Sequence, residues 1–147
     1  MSQNVNWNDD QLDKTTTLSA ISPSDPLEDS EPGLNAHDRL AIDRLPEGSA
    51  LLVVRKGPNL GARFLLDADT TIAGRHPGSE IFLDDVTVSR KHAAFIRDDN
   101  GFIVRDLGSL NGTYVGRDRV DEARLQAGQT VQIGKYRLSY HPFHPEA

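Results

Sequence analysis

No cysteine occurs anywhere in the 147 residues, which excludes disulfides, thiolate metal ligands and cysteine nucleophiles together. Long apolar runs are missing too. The longest, Ala50 to Val54, has five residues, against the ~20 that a membrane-spanning helix needs. The N-terminus, Met1-Ser2-Gln3-Asn4-Val5-Asn6-Trp7, has neither a basic start nor an apolar core and does not read as a secretion signal. A soluble, cytoplasmic protein with no membrane partner is the expectation. A basic surplus is absent as well, since the net charge is −6. All of that deficit sits in residues 1–46, with nine acidic side chains against three basic ones (Lys14, Arg39, Arg44), while residues 47–147 carry thirteen of each. Neither part offers the cationic surface that a nucleic-acid backbone needs, so no nucleic-acid partner is expected.

The composition divides the chain in two. Residues 1–46 are rich in Ser, Thr, Asn, Asp and Pro, and Leu12, Leu18, Ile21, Leu27 and Leu34 are too scattered to bury a core. They read as a disordered acidic tail, with a short helix possible over His37–Leu45, where Leu40 and Leu45 can share a face. Pro46-Glu47-Gly48 is a turn signal, and an ordered domain is expected over 47–141, followed by a C-terminal tail at 142–147. Inside the domain, short β-like runs alternate with turns: Leu51–Arg55, Ala62–Leu66, Thr70–Ala73, Glu80–Leu83, His92–Arg97, Phe102–Asp106, Thr113–Val115, Thr130–Ile133 and Tyr136–Tyr140. In the last run Tyr136, Leu138 and Tyr140 alternate with Arg137 and Ser139, which predicts one buried and one wet face. The fold class is all-β, an antiparallel sandwich behind a disordered N-terminal tail.

Enzyme motifs do not assemble. A nucleophile elbow needs Gly-x-Ser-x-Gly, and Gly108-Ser109-Leu110-Asn111-Gly112 misses that spacing by one. There is no phosphate-binding Gly-rich loop and no His-Glu-x-x-His. His141 and His144 flank Pro142 and read as solvated tail residues rather than a metal site. The pairs Asp84-Asp85 and Asp98-Asp99 lie at turns, where carboxylates bond the local backbone. A small hydrolase is therefore a poor reading, and neither a metal nor a cofactor is expected.

Binding chemistry does assemble, in three connections: Gly74-Arg75-His76, Ser89-Arg90-Lys91-His92 and Gly108-Ser109-Leu110-Asn111-Gly112-Thr113. Arg75 and Arg90 carry planar donor forks suited to a tetrahedral dianion. Ser89 and Ser109 add compact hydroxyls, and Asn111 offers both an amide donor and a carbonyl acceptor to a peptide backbone. Together they suit a phosphate on an extended peptide, although Asn111-Gly112 alone also reads as a tight turn.

In order and spacing these motifs resemble the forkhead-associated (FHA) domain, a phosphothreonine-binding sandwich. Its pattern of Gly-Arg, then Ser-x-x-His, then Asn-Gly is matched by Gly74-Arg75, Ser89-Arg90-Lys91-His92 and Asn111-Gly112. The resemblance implies that Arg75, Ser89, Arg90 and Ser109 contact the phosphate and that Asn111 holds the peptide main chain. It makes His92 a brace of the binding loops, with Gly74 and Gly112 present for backbone shape.

A narrower likeness runs through Gly48–Val54, Ala73–Pro77, Ile81–Arg90 and Gly108–Val115. These stretches resemble the actinobacterial oxoglutarate dehydrogenase inhibitor family, also known as glycogen accumulation regulators. The resemblance implies a monomer in which a Ser/Thr protein kinase phosphorylates a Thr-Thr motif in the tail. The phosphothreonine then folds into the protein's own FHA pocket and relieves inhibition of the oxoglutarate dehydrogenase complex. Glutamate dehydrogenase and glutamate synthase are further implied partners. Lys14-Thr15-Thr16-Thr17-Leu18 occupies the motif's place. Lys14 and Thr17 depart from the family pattern of an acidic residue before the pair and Ser after it, which leaves Thr15, Thr16 and Thr17 as candidates. Thr15 is placed first and Thr16 second, because Leu18 then lies three residues beyond Thr15. An FHA adaptor in another kinase pathway, serving cell-wall synthesis or secretion, is the alternative.

Overall fold

A computed structural model describes residues 33–144. Helix α1 (Ala36–Asp43) precedes eleven strands: β1 (Ala50–Lys56), β2 (Arg63–Leu66), β3 (Thr70–Gly74), β4 (Ile81–Phe82), β5 (Ala93–Asp98), β6 (Gly101–Asp106), β7 (Thr113–Val115), β8 (Asp118–Val120), β9 (Glu122–Arg124), β10 (Thr130–Ile133) and β11 (Tyr136–Pro142). They form a five-stranded sheet in the order β9-β6-β5-β3-β4 and a six-stranded sheet in the order β2-β1-β11-β10-β7-β8. The alternating apolar side chains of both sheets meet between them: Leu52 and Val54 of β1, Phe95 of β5, Phe102 and Val104 of β6, and Leu138 of β11 are all buried. Phe102 meets Tyr140 edge to face, with ring centroids 6.3 Å apart at 70°.

All nine expected strands are present, and two more exist. Strands β8 and β9 escape a reading based on apolar alternation because each is an edge strand with mostly exposed side chains. Their pairing comes from backbone register, Thr113↔Val120 to Val115↔Asp118 for β8 and Glu122↔Arg105 to Arg124↔Ile103 for β9. One pairing corrects the all-antiparallel expectation. Strand β4 runs parallel to β3, through Ala73↔Ile81 and Gly74↔Phe82.

A second, smaller core lies outside the sandwich, where Leu45, Leu51 and Val53 pack with Leu34, Ala41, Ile42 and Phe143. Ala50 to Val54 are therefore buried on both faces, which is why that run is continuously apolar rather than alternating. The compact unit starts at Leu34 and not at residue 47, and the helix anticipated over His37–Leu45 is α1. Asn35 caps it reciprocally. Its Oδ1 accepts from the Asp38 amide at 2.7 Å while the Asp38 carboxylate accepts from the Asn35 amide at 3.1 Å. Asp38, 7% exposed, also meets Arg63 of β2 at 3.2 Å, which ties the helix to the sheet. The same cover corrects two expectations near the C-terminus. Ser139 is buried rather than wet, and His141 is half-buried in β11, with its Nε2 2.8 Å from the Ser139 hydroxyl. The rest of the expected tail, residues 1–32, lies outside the described residues, and so do Thr15, Thr16 and Thr17.

Candidate functional site

Ala93, at the start of β5, pairs with Ala73 of β3 on one side and Asp106 of β6 on the other. The connections after β3, before β5 and after β6 consequently leave the sandwich at one end. These are the three stretches that carry Arg75, Ser89-Arg90 and Ser109–Gly112.

Gly74 lets the first two connections touch. A Cβ on it would lie 2.0 Å from the Arg90 carbonyl oxygen, so no side chain fits there. Across this contact the Arg75 amide donates to the Ser89 carbonyl at 2.9 Å and the His76 amide to the Arg90 carbonyl at 3.2 Å. The Arg75 Nε donates to the Val88 carbonyl at 3.0 Å. That bond fixes the guanidinium plane and leaves its terminal nitrogens without a protein acceptor among the described residues. Arg90 is exposed, with no side-chain partner among those residues.

His92 joins the second connection to the third. It is 0% exposed. Its Nδ1 accepts from the Ser89 amide at 3.0 Å, so the hydrogen resides on Nε2, which donates to the Gly112 carbonyl at 2.8 Å. Burial pushes its pKa down, outweighing the Gly112 carbonyl and the Asp106 charge, which favour the cation. With both nitrogens engaged in the neutral ring, His92 braces the loops and has no nitrogen left for general-base work. Ser89 Oγ in turn accepts from the Leu110 amide at 3.0 Å, which leaves its own hydrogen to offer outward.

The third connection is organised by Asp106, which the motif pattern did not single out. Its carboxylate accepts from the Ser109 hydroxyl at 2.5 Å, the Thr113 hydroxyl at 2.7 Å, and the Gly108 and Ser109 amides at 2.9 and 3.1 Å. Burial opposes its charge, but these four donors outweigh it and hold the carboxyl below its usual range. An acidic side chain two and three residues before Gly-Ser is a local turn signal that was available in the sequence. Ser109 departs from its expected role. It is 8% exposed, donates to Asp106 and accepts from the Gly112 amide at 2.9 Å, so its hydroxyl faces the loop and not an outside ligand. Gly112 turns there at a φ of +86°, in the left-handed region that favours glycine. Asn111 is exposed; its Nδ2 donates to the Thr87 carbonyl at 2.9 Å and its Oδ1 has no partner among the described residues. Thr87, also unanticipated, is held by Asp85, whose Oδ2 accepts from the Thr87 amide at 2.9 Å and from its hydroxyl.

The arrangement thus presents two guanidinium groups, one hydroxyl donor and one amide on a fixed frame. It can hold an anion and an extended backbone. The Ser109 and Thr113 hydroxyls are engaged within the loop by Asp106.

The FHA domain family model matches residues 71–134. Over 142 residues the chain is 50% identical to an oxoglutarate dehydrogenase inhibitor of Corynebacterium jeikeium, which covers 95% of each chain. The chain belongs to the oxoglutarate dehydrogenase inhibitor family. The glycogen accumulation regulator GarA of Mycolicibacterium smegmatis is 64% identical over 99 residues, 67% of this chain and 63% of that one. A solved structure from a structural and functional analysis of phosphothreonine-dependent FHA domain interactions superposes with a TM-score of 0.60 at 28% identity, covering 67% of this chain and 99% of the other. In this member of the oxoglutarate dehydrogenase inhibitor family the FHA match spans β3 to Gly134 and includes all three connections of the site.

Proposed function

We propose that this protein is a phosphothreonine-binding regulator that inhibits the oxoglutarate dehydrogenase complex. A Ser/Thr protein kinase switches it off by phosphorylating its N-terminal segment at Thr15 or Thr16, and the phosphothreonine docks in the protein's own FHA site. Glutamate dehydrogenase or glutamate synthase is a further client. The observation that carries the binding role is the fixed Arg75 fork beside the outward Ser89 hydroxyl, with Arg90 on the same loop. In this reading those three groups take the phosphate and Asn111 takes the peptide main chain. Ser109 and His92 act through the loops they hold, and Gly74 and Gly112 allow the loops their shape. Thr15 lies nineteen positions before Leu34. A chain of that length spans at most ~65 Å, several times the ~13 Å radius of gyration of a hundred-residue domain. Inhibition is a binding event and needs no catalytic group.

Calorimetry with a peptide of residues 9–21 phosphorylated at Thr15 tests the site, and the unphosphorylated peptide is not expected to bind. Replacing Arg75 by Ala is expected to remove about 2–5 kcal/mol of binding energy, the loss typical of truncating one partner of a desolvated, charge-assisted contact. Unchanged affinity in Arg75→Ala would refute the site. Oxoglutarate dehydrogenase activity measured with the untreated and kinase-treated protein tests the client. Equal inhibition by both forms would refute the switch.

A further inference from the structure

Cross-strand partners directly opposite one another share a sheet face. On the six-stranded sheet one such row runs through five strands: Lys56↔Arg137, Arg137↔Gln132, Gln132↔Tyr114 and Tyr114↔Arg119. Its flanking residues Val131, Ile133 and Leu138 belong to the core, so the row faces away from it. A bulge in the β1–β11 pairing, between Arg137 and Leu138, is what brings Lys56 opposite Arg137. Four inter-strand spacings of ~4.8 Å make the row about 19 Å long, the span of roughly six extended residues.

Two cavities lie along it. One of about 400 Å³ is lined by Lys56, Gly57, Gln132, Gly134, Lys135, Tyr136 and Arg137. The other, of about 280 Å³, shares Gln132, Gly134 and Lys135 and continues to Tyr114, Asn111 and Thr87, where it reaches the candidate site. The Lys135 amide donates to the Thr87 hydroxyl oxygen at 2.9 Å. At the other end of the row Arg119 lies over the Asn111-Gly112 turn, since a Cβ on Gly112 would fall 2.6 Å from the Arg119 Nε.

No carboxylate lines either cavity. Elsewhere in the domain Arg63, Arg97, Arg105 and Arg124 each meet an acidic side chain. Lys56, Lys135 and Arg119 are exposed and meet none among the described residues. Asp85 is held below the usual carboxylate range mainly by the Thr87 hydroxyl and amide, with Lys135 as a weaker influence, and it lines neither cavity. In a domain with equal numbers of basic and acidic residues, this is a segregated cationic track that ends at the residue assigned to the peptide main chain.

We propose that the track of Lys56, Lys135 and Arg119 receives an acidic segment flanking the phosphothreonine of a partner protein. The proposal rests on the phosphothreonine reading and extends it from the phosphate to the sequence around it. The track selects for carboxylates next to the phosphothreonine, and it does so most strongly at low ionic strength, because exposed charges are screened by salt.

Three phosphothreonine peptides test it against the full chain by calorimetry at low salt: one with neutral flanks, one with four glutamates beginning three residues after the phosphothreonine, and one with four ending three residues before it. One acidic peptide is expected to bind about tenfold more tightly than the neutral one, as a few exposed ion pairs supply. Lys56→Gln combined with Lys135→Gln is expected to remove most of that gain while leaving the neutral peptide unchanged, and Arg119→Gln is the independent second variant. No gain with either acidic peptide, or a gain that survives both variants, overturns the track. Displacement of the acidic peptide by a single-stranded oligonucleotide of equal charge, at equal concentration, makes the surface a general polyanion site and also overturns the peptide assignment. Failure of the neutral peptide to bind the unmodified protein sinks the phosphothreonine reading itself.

Discussion

Replacing His92 by Ala removes one ring and unpairs two backbone groups. The Ser89 amide loses its acceptor and the Gly112 carbonyl its donor, both at a residue 0% exposed. A buried polar group left without a partner costs about 1–3 kcal/mol. A water entering the vacated space can bridge one of them, so a loss of about 2–4 kcal/mol is expected, from a total stability of about 5–15 kcal/mol for a domain of this kind. Urea denaturation followed by far-ultraviolet circular dichroism measures it. The same variant isolates a pH effect. Because burial holds the folded pKa of His92 below the ordinary value near 6.5, the unfolded chain binds the proton first as pH falls. Stability is full above that value and declines below it, by at most about 1.4 kcal/mol per pH unit for one proton. His141 is shifted down in the same sense, by burial and then by the charge of Arg55, so the wild-type decline contains both. Subtracting the His92→Ala curve leaves the His92 share. Protonation of the folded protein turns Nδ1 from an acceptor into a donor facing the Ser89 amide, so phosphopeptide affinity is expected to weaken only at lower pH, where the folded ring itself takes the proton. If His92→Ala loses under 1 kcal/mol, or its stability declines between pH 7.5 and 5.5 as steeply as the wild type's, the bracing role is wrong.

Three further outcomes are expected. Gly74→Ala sets a methyl group against the Arg90 carbonyl and should lower stability by about 1–3 kcal/mol, together with phosphopeptide affinity; a variant with an unmoved urea midpoint would show that the two loops do not need this contact. Ser109→Ala leaves the Gly112 amide unpaired and should cost about 1–3 kcal/mol of stability; a fall in phosphopeptide affinity with stability unchanged would instead place the hydroxyl on the phosphate. Kinase treatment should change Trp7 emission to an extent independent of protein concentration and abolished by Arg75→Ala. An effective concentration on the order of millimolar against a micromolar affinity favours self-docking about a thousandfold, and a signal that grows with concentration would mean docking between molecules.

The sequence shows a side chain's role where one local rule governs it. Alternation placed the strands that bury one face, and the resemblance carried by Gly74-Arg75, Ser89-Arg90-Lys91-His92 and Asn111-Gly112 implied that their connections share a site. Where the governing partner is distant, the pattern is silent. Leu34, Ile42 and Leu45 look too sparse to build a core because the other half of that core is Leu51 and Val53, across the turn at Pro46. Strands β8 and β9 exist through register alone, so their side chains have no reason to alternate. Ser109 carries the right chemistry for a phosphate, but Asp106, three residues before it, claims its hydroxyl first. The cationic track is the extreme case. Its residues come from β1, β8 and the turn between β10 and β11, and only strand register makes them neighbours.

The four donors held by Asp106 all come from its own loop and from the first residue of β7. The receptor is therefore set before its ligand arrives. Little of the interaction energy is lost to ordering the loop, and association proceeds at a rate set by diffusion and charge rather than by loop rearrangement. Tight and weak phosphopeptides then differ mainly in how long they stay. A regulator built this way responds to a phosphate at the speed of the kinase or phosphatase that places or removes it, and its memory of the signal is the residence time of one phosphothreonine.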